Sequence, residues 1–371
     1  MPKEIVGVVG AGTMGAGIAQ VALEAGHEVL LNDVDEAAIG RGRARVRDGL
    51  GRRAANLDLD ADTIDAWIEG RAAGLRDAHS LDALGAEADV VIEAALEDLD
   101  LKQTIFRALD AAVGNREGVI LATNTSALSV GSIAAATDRP ARVVGLHFFN
   151  PAPLMALVEV VAHDLSDEAV VDRAVSLVES WGKVAVRSTD SPGFIVNRVN
   201  RPFTIEALRL VERGEASVEA IDSAIRDAGF PMGPFELMDL VGVDVNLAAA
   251  RAVWEGLGRP DRLRPSPIQE RLVDDERLGR KTGAGFYAYA DGRRAGADPA
   301  FAGGAGGLTG ASIVAMLTAA IDAEASRALA DGVATEDDID RALRLGAGHP
   351  VGPFERMRAG GRRGGAGAGS D

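Results

Sequence analysis

The sequence predicts an α/β protein, a doubly wound parallel sheet over residues 1–186 followed by an all-α C-terminal domain and a partial helical repeat. Three observations carry this. Short apolar runs that close in polar or glycine turns alternate with helically spaced segments along the first half. After TDSPGFIVNRV (189–199) the spacing becomes helical. GFPMGPFELM at 229–238 returns as GHPVGPFERM at 348–357 with three residues changed, which marks a repeated unit.

Residues 5–9 (IVGVV) form an apolar run ending in a glycine turn, 16–25 (AGIAQVALEA) follow helical spacing, and HEVLLND (27–33) is the next strand. That order makes the βαβ unit of a parallel sheet. A polar helical stretch rich in Arg, Asp and Ala fills roughly 35–79. ADVVIEAA (88–95), GVILATNTS (118–126), ARVVGLHFF (141–149) and ALVEVVA (156–162) read as buried or half-buried strands. A helical domain occupies 187–290, with apolar residues three and four apart over 200–213 and 217–228. The Gly- and Ala-rich 291–307 has the composition of a flexible linker, 308–358 holds the partial second repeat, and 359–371 reads as a disordered tail.

The chain of 371 residues carries a formal charge of −17, from 56 acidic and 39 basic residues, and its basic residues are scattered. Nucleic acid and anionic membrane are therefore not expected as partners. The absence of cysteine removes disulfides, thiolate nucleophiles and zinc–sulfur sites, and no metal is expected. The N-terminus enters a strand pattern within four residues and has no leader-like apolar core, so a cytoplasmic location is expected.

Gly10, Gly12 and Gly15 form GAGTMG, with Thr13 and Met14 between, where a strand turns into a helix. The first glycine permits the tight turn, the second lets a pyrophosphate approach the backbone, and the third lets helix and strand pack closely. Asp33 ends the second strand, 18 residues after Gly15, where a carboxylate accepts both ribose hydroxyls and repels a 2′-phosphate. This is a dinucleotide site of Rossmann type, and NAD is favoured over NADP.

Later strands end in NTSALS (124–129) and HFFNP (147–151), and Glu159 lies within ALVEVV. Open α/β sheets place ligands at such carboxyl ends. An alcohol dehydrogenation needs a base for the hydroxyl proton, and imidazole suits this near neutral pH. His147 and Glu159 form a candidate base and partner; the same pair also fits a hydrogen-bonded core histidine beside a strand-edge glutamate.

The motifs VGVVGAGTMGAGIA, VIEAALEDLDLK, ATNTSALSV, GLHFFNPAPLMALVEVV, DSPGFIVNRV, GFPMGPFELMDLVGVD and GRKTGAGFYAY occur in order over 5–289. In these the sequence resembles the L-3-hydroxyacyl-CoA dehydrogenase family, including its 3-hydroxybutyryl-CoA members. The resemblance implies NAD-dependent oxidation of a short-chain (S)-3-hydroxyacyl-CoA, chemistry of β-oxidation. It implies His147 as general acid/base, Glu159 as its partner, and Ser126 and Asn197 as substrate-binding residues. For NAD it implies the glycine loop, Asp33, Glu97, Lys102 and Lys281. The family's lysine near the CoA is missing, since no lysine lies between Lys3 and Lys102; Arg43, Arg45, Arg47, Arg52 and Arg53 occupy that stretch. Two alternatives stay open: a dehydrogenase of a free hydroxy acid of gulonate type, and a non-catalytic protein retaining the fold.

The repeat extends beyond ten residues, because 206–238 aligns with 324–357 with one residue added. Ser217 and Thr335 are matching N-cap candidates. The second copy lacks a counterpart of Asn197, so it is expected to pack rather than to react, giving a homodimer or an internally paired monomer. His349 is expected at the surface.

Overall fold

The computed structural model describes residues 3–58, 60–301, 303 and 307–365. The chain divides into two compact units between Ser191 and Pro192.

The first unit contains strands β1 (Ile5–Val9), β2 (Glu28–Asn32), β3 (Leu75–Asp77), β4 (Val90–Glu93), β5 (Ile120–Thr123), β6 (Val143–Phe148), β7 (Leu157–Ala162) and β8 (Val184–Thr189). Among the described residues they form one sheet in the order β3-β2-β1-β4-β5-β6-β7-β8. Strand order reverses beside β1, which pairs with β2 on one side and β4 on the other, so a crevice opens at their carboxyl ends. The helices α1 (Thr13–Glu24), α2 (Glu36–Ala54), α3 (Ala61–Ala72), α4 (Leu81–Glu87), α5 (Leu99–Val113), α6 (Val130–Ala134) and α7 (Glu168–Ser180) connect the strands. Val6, Val8, Val29, Ile92, Ile120 and Leu146 of the sheet are buried with Ile18, Leu50 and Leu177 of the helices in the same core.

Two strands escape the apolar pattern. β3 is three residues long, LRD, too short to show a period, and it ends the polar stretch that α2 and α3 otherwise fill. β8 (VAVRST) pairs in parallel with β7 and carries the sheet to Thr189, so the first unit runs past the expected limit at 186. One pairing departs from the parallel pattern: β6 and β7 run antiparallel. The connection between them, 149–156, is too short for the crossover that a parallel pair requires.

The second unit begins with α8 (Val196–Val199), α9 (Arg201–Glu212), α10 (Val218–Asp227), α11 (Pro234–Val241), α12 (Val243–Gly256) and α13 (Pro267–Asp274). A hairpin of β9 (Tyr287–Ala290) and β10 (Arg293–Ala297) follows, then α14 (Gly310–Ala330), α15 (Glu336–Gly346) and α16 (Pro353–Gly365). The hairpin corrects the expectation of a flexible linker over 291–307. Arg277 pairs with Asp298, and Phe301 lies 5.3 Å from the ring of Phe286, so apolar and ionic contacts hold this segment down. Residues 302 and 304–306 lie outside the described residues. The expected disordered tail also changes, since α16 continues to Gly365; residues 366–371 lie outside the described residues.

The repeated sequence is a repeated helix-capping device. In the first copy the Asp222 carboxylate accepts from the amides of Phe235 and Glu236 at the start of α11, each at 3.0 Å. In the second copy Asp340 accepts from Phe354 (2.7 Å) and Glu355 (3.0 Å) at the start of α16. Glu236 and Glu355 reach back to the amides of Gly233 and Gly352, each at 3.0 Å. Glycine is required at both places, because an added Cβ would stand 2.1 Å from Asp222 or 2.4 Å from Asp340. Ser217 and Thr335 cap α10 and α15 as expected.

The copies pack on each other. α14 lies against α8, α9 and α10, and α15 against α8. Arg198 Nε donates to Glu324 Oε1 of the second copy at 3.1 Å, and both side chains are 1% exposed. Arg262 binds the other Glu324 oxygen at 2.7 Å. His349 is buried rather than at the surface: its Nε2 meets Asn200 Oδ1 at 2.8 Å, and its ring packs beside Phe203 and Phe230. Apolar packing outweighed the polar character from which the surface position was read.

Burial pushes the His349 imidazole down to about 3, with the Arg356 charge adding to the shift. A folded-state value below the unfolded one means stability is complete above about pH 6.5 and falls as pH drops toward 3. The slope contributed is at most about 1.4 kcal/mol per pH unit. His349→Gln retains a donor toward Asn200 and is expected to flatten the decline in Tm between pH 6 and 4, followed by circular dichroism. An unchanged slope would contradict this.

Candidate active site

The glycine loop joins β1 to α1. Gly10 has φ 98°, and an added Cβ would stand 2.6 Å from the Ala94 carbonyl oxygen. A Cβ at Gly15 would stand 1.7 Å from the Gly10 oxygen, so strand and helix meet only through glycine. At Gly12 a Cβ would meet nothing within 4 Å, which leaves that approach open to a ligand. No side chain caps α1, whose first residues are Thr13 and Met14, so its amides face the crevice entrance as an anion site. Asp33 follows β2 directly, and its Oδ2 accepts from the Ala11 amide at 2.6 Å, which fixes the carboxylate beside the loop. These features fit a dinucleotide: a close backbone approach, a helix end for pyrophosphate and a carboxylate for ribose.

At the ends of β4 and β5 lies a chain of polar groups that runs from buried Glu93, Lys102 and Thr123 to exposed Glu97 and Ser126. Lys102 on α5 is 1% exposed, and its Nζ stands 2.7 Å from Glu93 Oε1 and 3.4 Å from Glu97 Oε2. Glu93 also accepts from the Thr123 hydroxyl at 2.7 Å and the Ala95 amide at 2.6 Å. Glu97 gathers the NTS turn, accepting from the Thr125 hydroxyl (2.6 Å), the Ser126 amide (2.9 Å), the Ala127 amide (3.1 Å) and the Ser126 hydroxyl (3.3 Å). Burial opposes the Glu97 charge, yet the Thr125 hydroxyl, Lys102 and the Ser126 amide outweigh it and hold the carboxylate below its ordinary range. Glu97, Lys102 and Ser126 therefore form one connected cluster.

His147 and Glu159 face each other in the β6–β7 register, and His147 Nδ1 lies 2.6 Å from Glu159 Oε2. Both are buried, at 6% and 0% exposure. The twelve-residue separation thus spans one antiparallel connection rather than a crossover. With the carboxylate accepting at Nδ1, the ring proton sits there and the basic lone pair is on Nε2. Asn124 Oδ1 accepts from the Phe148 amide at 2.9 Å and ties the end of β5 to the residue after His147.

Asn197 lies on α8 and Lys281 in a short 3-10 turn, Arg280–Thr282, both in the helical unit. Lys281 Nζ pairs with both Asp244 oxygens at 2.6 and 2.7 Å.

Glu93, Thr123 and Asn124 hold site residues yet were not singled out from the sequence. The signal available was Glu93 itself, an acid closing the otherwise apolar run VVIE. Of the five arginines in the α2 stretch, Arg43 pairs with Asp77 and Arg47 with Glu69. Arg53 pairs with Glu24 at 3.6 Å, and Arg45, Arg52 and Arg53 line a cavity of about 460 Å³ with Thr13, Gln20, Asp48 and Asn150. Among the described residues no group of acids and histidines could hold a metal ion, and no helix is long and apolar enough to cross a membrane.

Residues 5–191 match the family described as 3-hydroxyacyl-CoA dehydrogenase, NAD binding domain, and residues 193–289 and 313–367 match its C-terminal domain. The 3-hydroxyadipyl-CoA dehydrogenase of Escherichia coli K12 is 45% identical over 287 residues, which cover 77% of this chain and 59% of that protein. The 3-hydroxybutyryl-CoA dehydrogenase of Bradyrhizobium diazoefficiens is 40% identical over 285 residues, covering 76% of this chain and 94% of that one. The crystal structure of an Escherichia coli K12 3-hydroxybutyryl-CoA dehydrogenase superposes with a TM-score of 0.84 at 35% identity, covering 95% of this chain and 90% of that one. The chain belongs to the 3-hydroxyacyl-CoA dehydrogenase family, NAD-dependent oxidoreductases.

Proposed function

We propose that the chain oxidises short-chain (S)-3-hydroxyacyl-CoA to 3-oxoacyl-CoA, with His147 as the general acid/base. The observation that carries this reading is the buried His147–Glu159 pair at 2.6 Å, on strands of the sheet that bears the glycine loop. Glu159 holds the ring with its Nε2 lone pair available for the substrate hydroxyl proton, and it stabilises the imidazolium that forms. Ser126 and Asn197 hold substrate oxygens, an orientation effect. Gly10, Gly12, Thr13, Met14, Gly15, Asp33, Glu97, Lys102 and Lys281 are assigned to NAD, which supplies the hydride acceptor when bound. The cavity lined by Arg45, Arg52 and Arg53 suits the phosphates of CoA. We place the activity in the cytoplasm.

His147→Gln is expected to leave NAD affinity nearly intact, read by titration calorimetry, while turnover of acetoacetyl-CoA with NADH falls by about two to four decades. A fully active variant sinks the assignment. Turnover of free hydroxy acids in place of the CoA ester would point to the gulonate-type reaction instead.

The second helical copy is proposed to pair internally with the first. Support comes from the packing of α14 on α8, α9 and α10 and from Glu324, a buried counter-charge to Arg198. Light scattering is expected to give a monomer mass for the full chain and a dimer for residues 1–290. A dimer in both cases excludes shielding by the second copy.

A further inference from the structure

Lysine occurs four times in this chain against thirty-five arginines. Lys3 pairs with Glu28, and Lys102 and Lys281 are read as NAD contacts. Lys183 is the fourth. It stands half-buried just before β8, where the Val184 amide donates to the Ala156 carbonyl at 2.8 Å. Its Nζ donates to the carbonyl oxygens of Ala152 (2.7 Å), Met155 (2.8 Å) and Pro153 (3.2 Å). Three ammonium hydrogens thus meet three main-chain acceptors between residues 152 and 155, a convergence that a planar guanidinium fork does not make. Burial pulls the ammonium below its ordinary value and Glu24 only partly offsets this, so carbonyl dipoles rather than a counter-ion replace the lost water.

The three carbonyls belong to the connection 149–156, which joins the strand of His147 to that of Glu159. Its His147 end is held without Lys183: Glu159 faces the imidazole at 2.6 Å, and Asn124 takes the Phe148 amide at 2.9 Å. Farther along, Asn150–Leu154 line the cavity of about 460 Å³ to which α2 contributes Arg45 and Arg52. Little apolar packing holds that segment, since Ala152 alone of residues 149–156 is buried and Leu154 is 80% exposed. It rests on α1 through Ala152 and Pro153, each of which would stand 3.2 Å from a Cβ added at Gly17. From the other side it is fixed by Lys183.

We propose that Lys183 is a positioning residue for the CoA end of the substrate. Its three hydrogen bonds set the shape of the 150–154 wall, and so the fit of phosphates held from α2. The inference rests on the reading of this cavity as the CoA phosphate site. Lys183 acts through main-chain atoms remote from the His147–Glu159 pair, so binding of the CoA ester depends on it and proton transfer does not.

The test compares the full-length protein with Lys183→Met and Lys183→Arg. The substrates are acetoacetyl-CoA and acetoacetyl-N-acetylcysteamine, a thioester without phosphates, each reduced with NADH. Wild type is expected to favour the CoA ester in kcat/KM. In Lys183→Met, KM for acetoacetyl-CoA is expected to rise at least about 10-fold, with kcat, NADH affinity and kcat/KM for the short thioester within about threefold of wild type. Lys183→Arg keeps the cation but not the convergence, and is expected to retain most of the KM defect. Full recovery with arginine overturns the inference, because charge alone would then account for the effect. So does an unchanged KM, an equal loss on both thioesters, or lost NADH binding in Lys183→Met, which would make the lysine a requirement of the fold. Equal use of both thioesters by wild type overturns instead the CoA reading of the cavity, and this inference with it.

Discussion

Burial of charge is the constraint on which this protein's architecture turns. A charged side chain removed from water persists only where fixed partners replace the lost solvation. Glu93 is held by Lys102, Thr123 and an amide, His147 faces Glu159, and Arg142 lies on Asp110. In the helical unit Arg198 meets Glu324, and Asp222 and Asp340 each take two amides at a helix start. These contacts join segments distant in sequence, so they fix register and helix entry where apolar packing alone tolerates shifts. Arg201, without such a partner among the described residues, stands out against this pattern.

Asp222 shows how finely such a group is balanced. Burial raises its carboxyl to about 7, while the Tyr287 hydroxyl and the Phe235 and Glu236 amides pull the other way. The folded value lies above the unfolded one, so its contribution to stability is fullest below about pH 4 and is lost as pH rises through 7. Its counterpart Asp340 is also raised, chiefly by burial. The repeated GPFE motif is thus a conserved solution, within one chain, to starting a buried helix: glycine makes room, proline opens the first turn, and a distant Asp satisfies the amides.

Much of the fold was legible because apolar periodicity reports it directly. The βαβ start, six of the eight strands and the helical repeat follow from spacing, and Gly10, Gly12, Gly15 and Asp33 lie where the strand, turn and helix order places them. β3 and β8 were not legible, the first for its brevity and the second for its place at a domain boundary. The 291–307 segment misleads because composition records backbone freedom and not the aromatic contact of Phe301 with Phe286. His349 misleads similarly, since a histidine's exposure depends on what packs over it, here Phe203 and Phe230.

By itself the sequence determined the fold class, the glycine loop between strand and helix and which residues are candidates for the chemistry, because these depend on local spacing and residue type. Tertiary structure decided which of them meet. That β7 returns antiparallel to β6, and so sets Glu159 opposite His147, is a matter of strand pairing that no local pattern encodes. The same holds for Lys102 finding Glu93 and for Glu324 finding Arg198, separated by 9 and 126 residues. Such pairs form only when the packed core brings their segments together and removes the water that would otherwise solvate them.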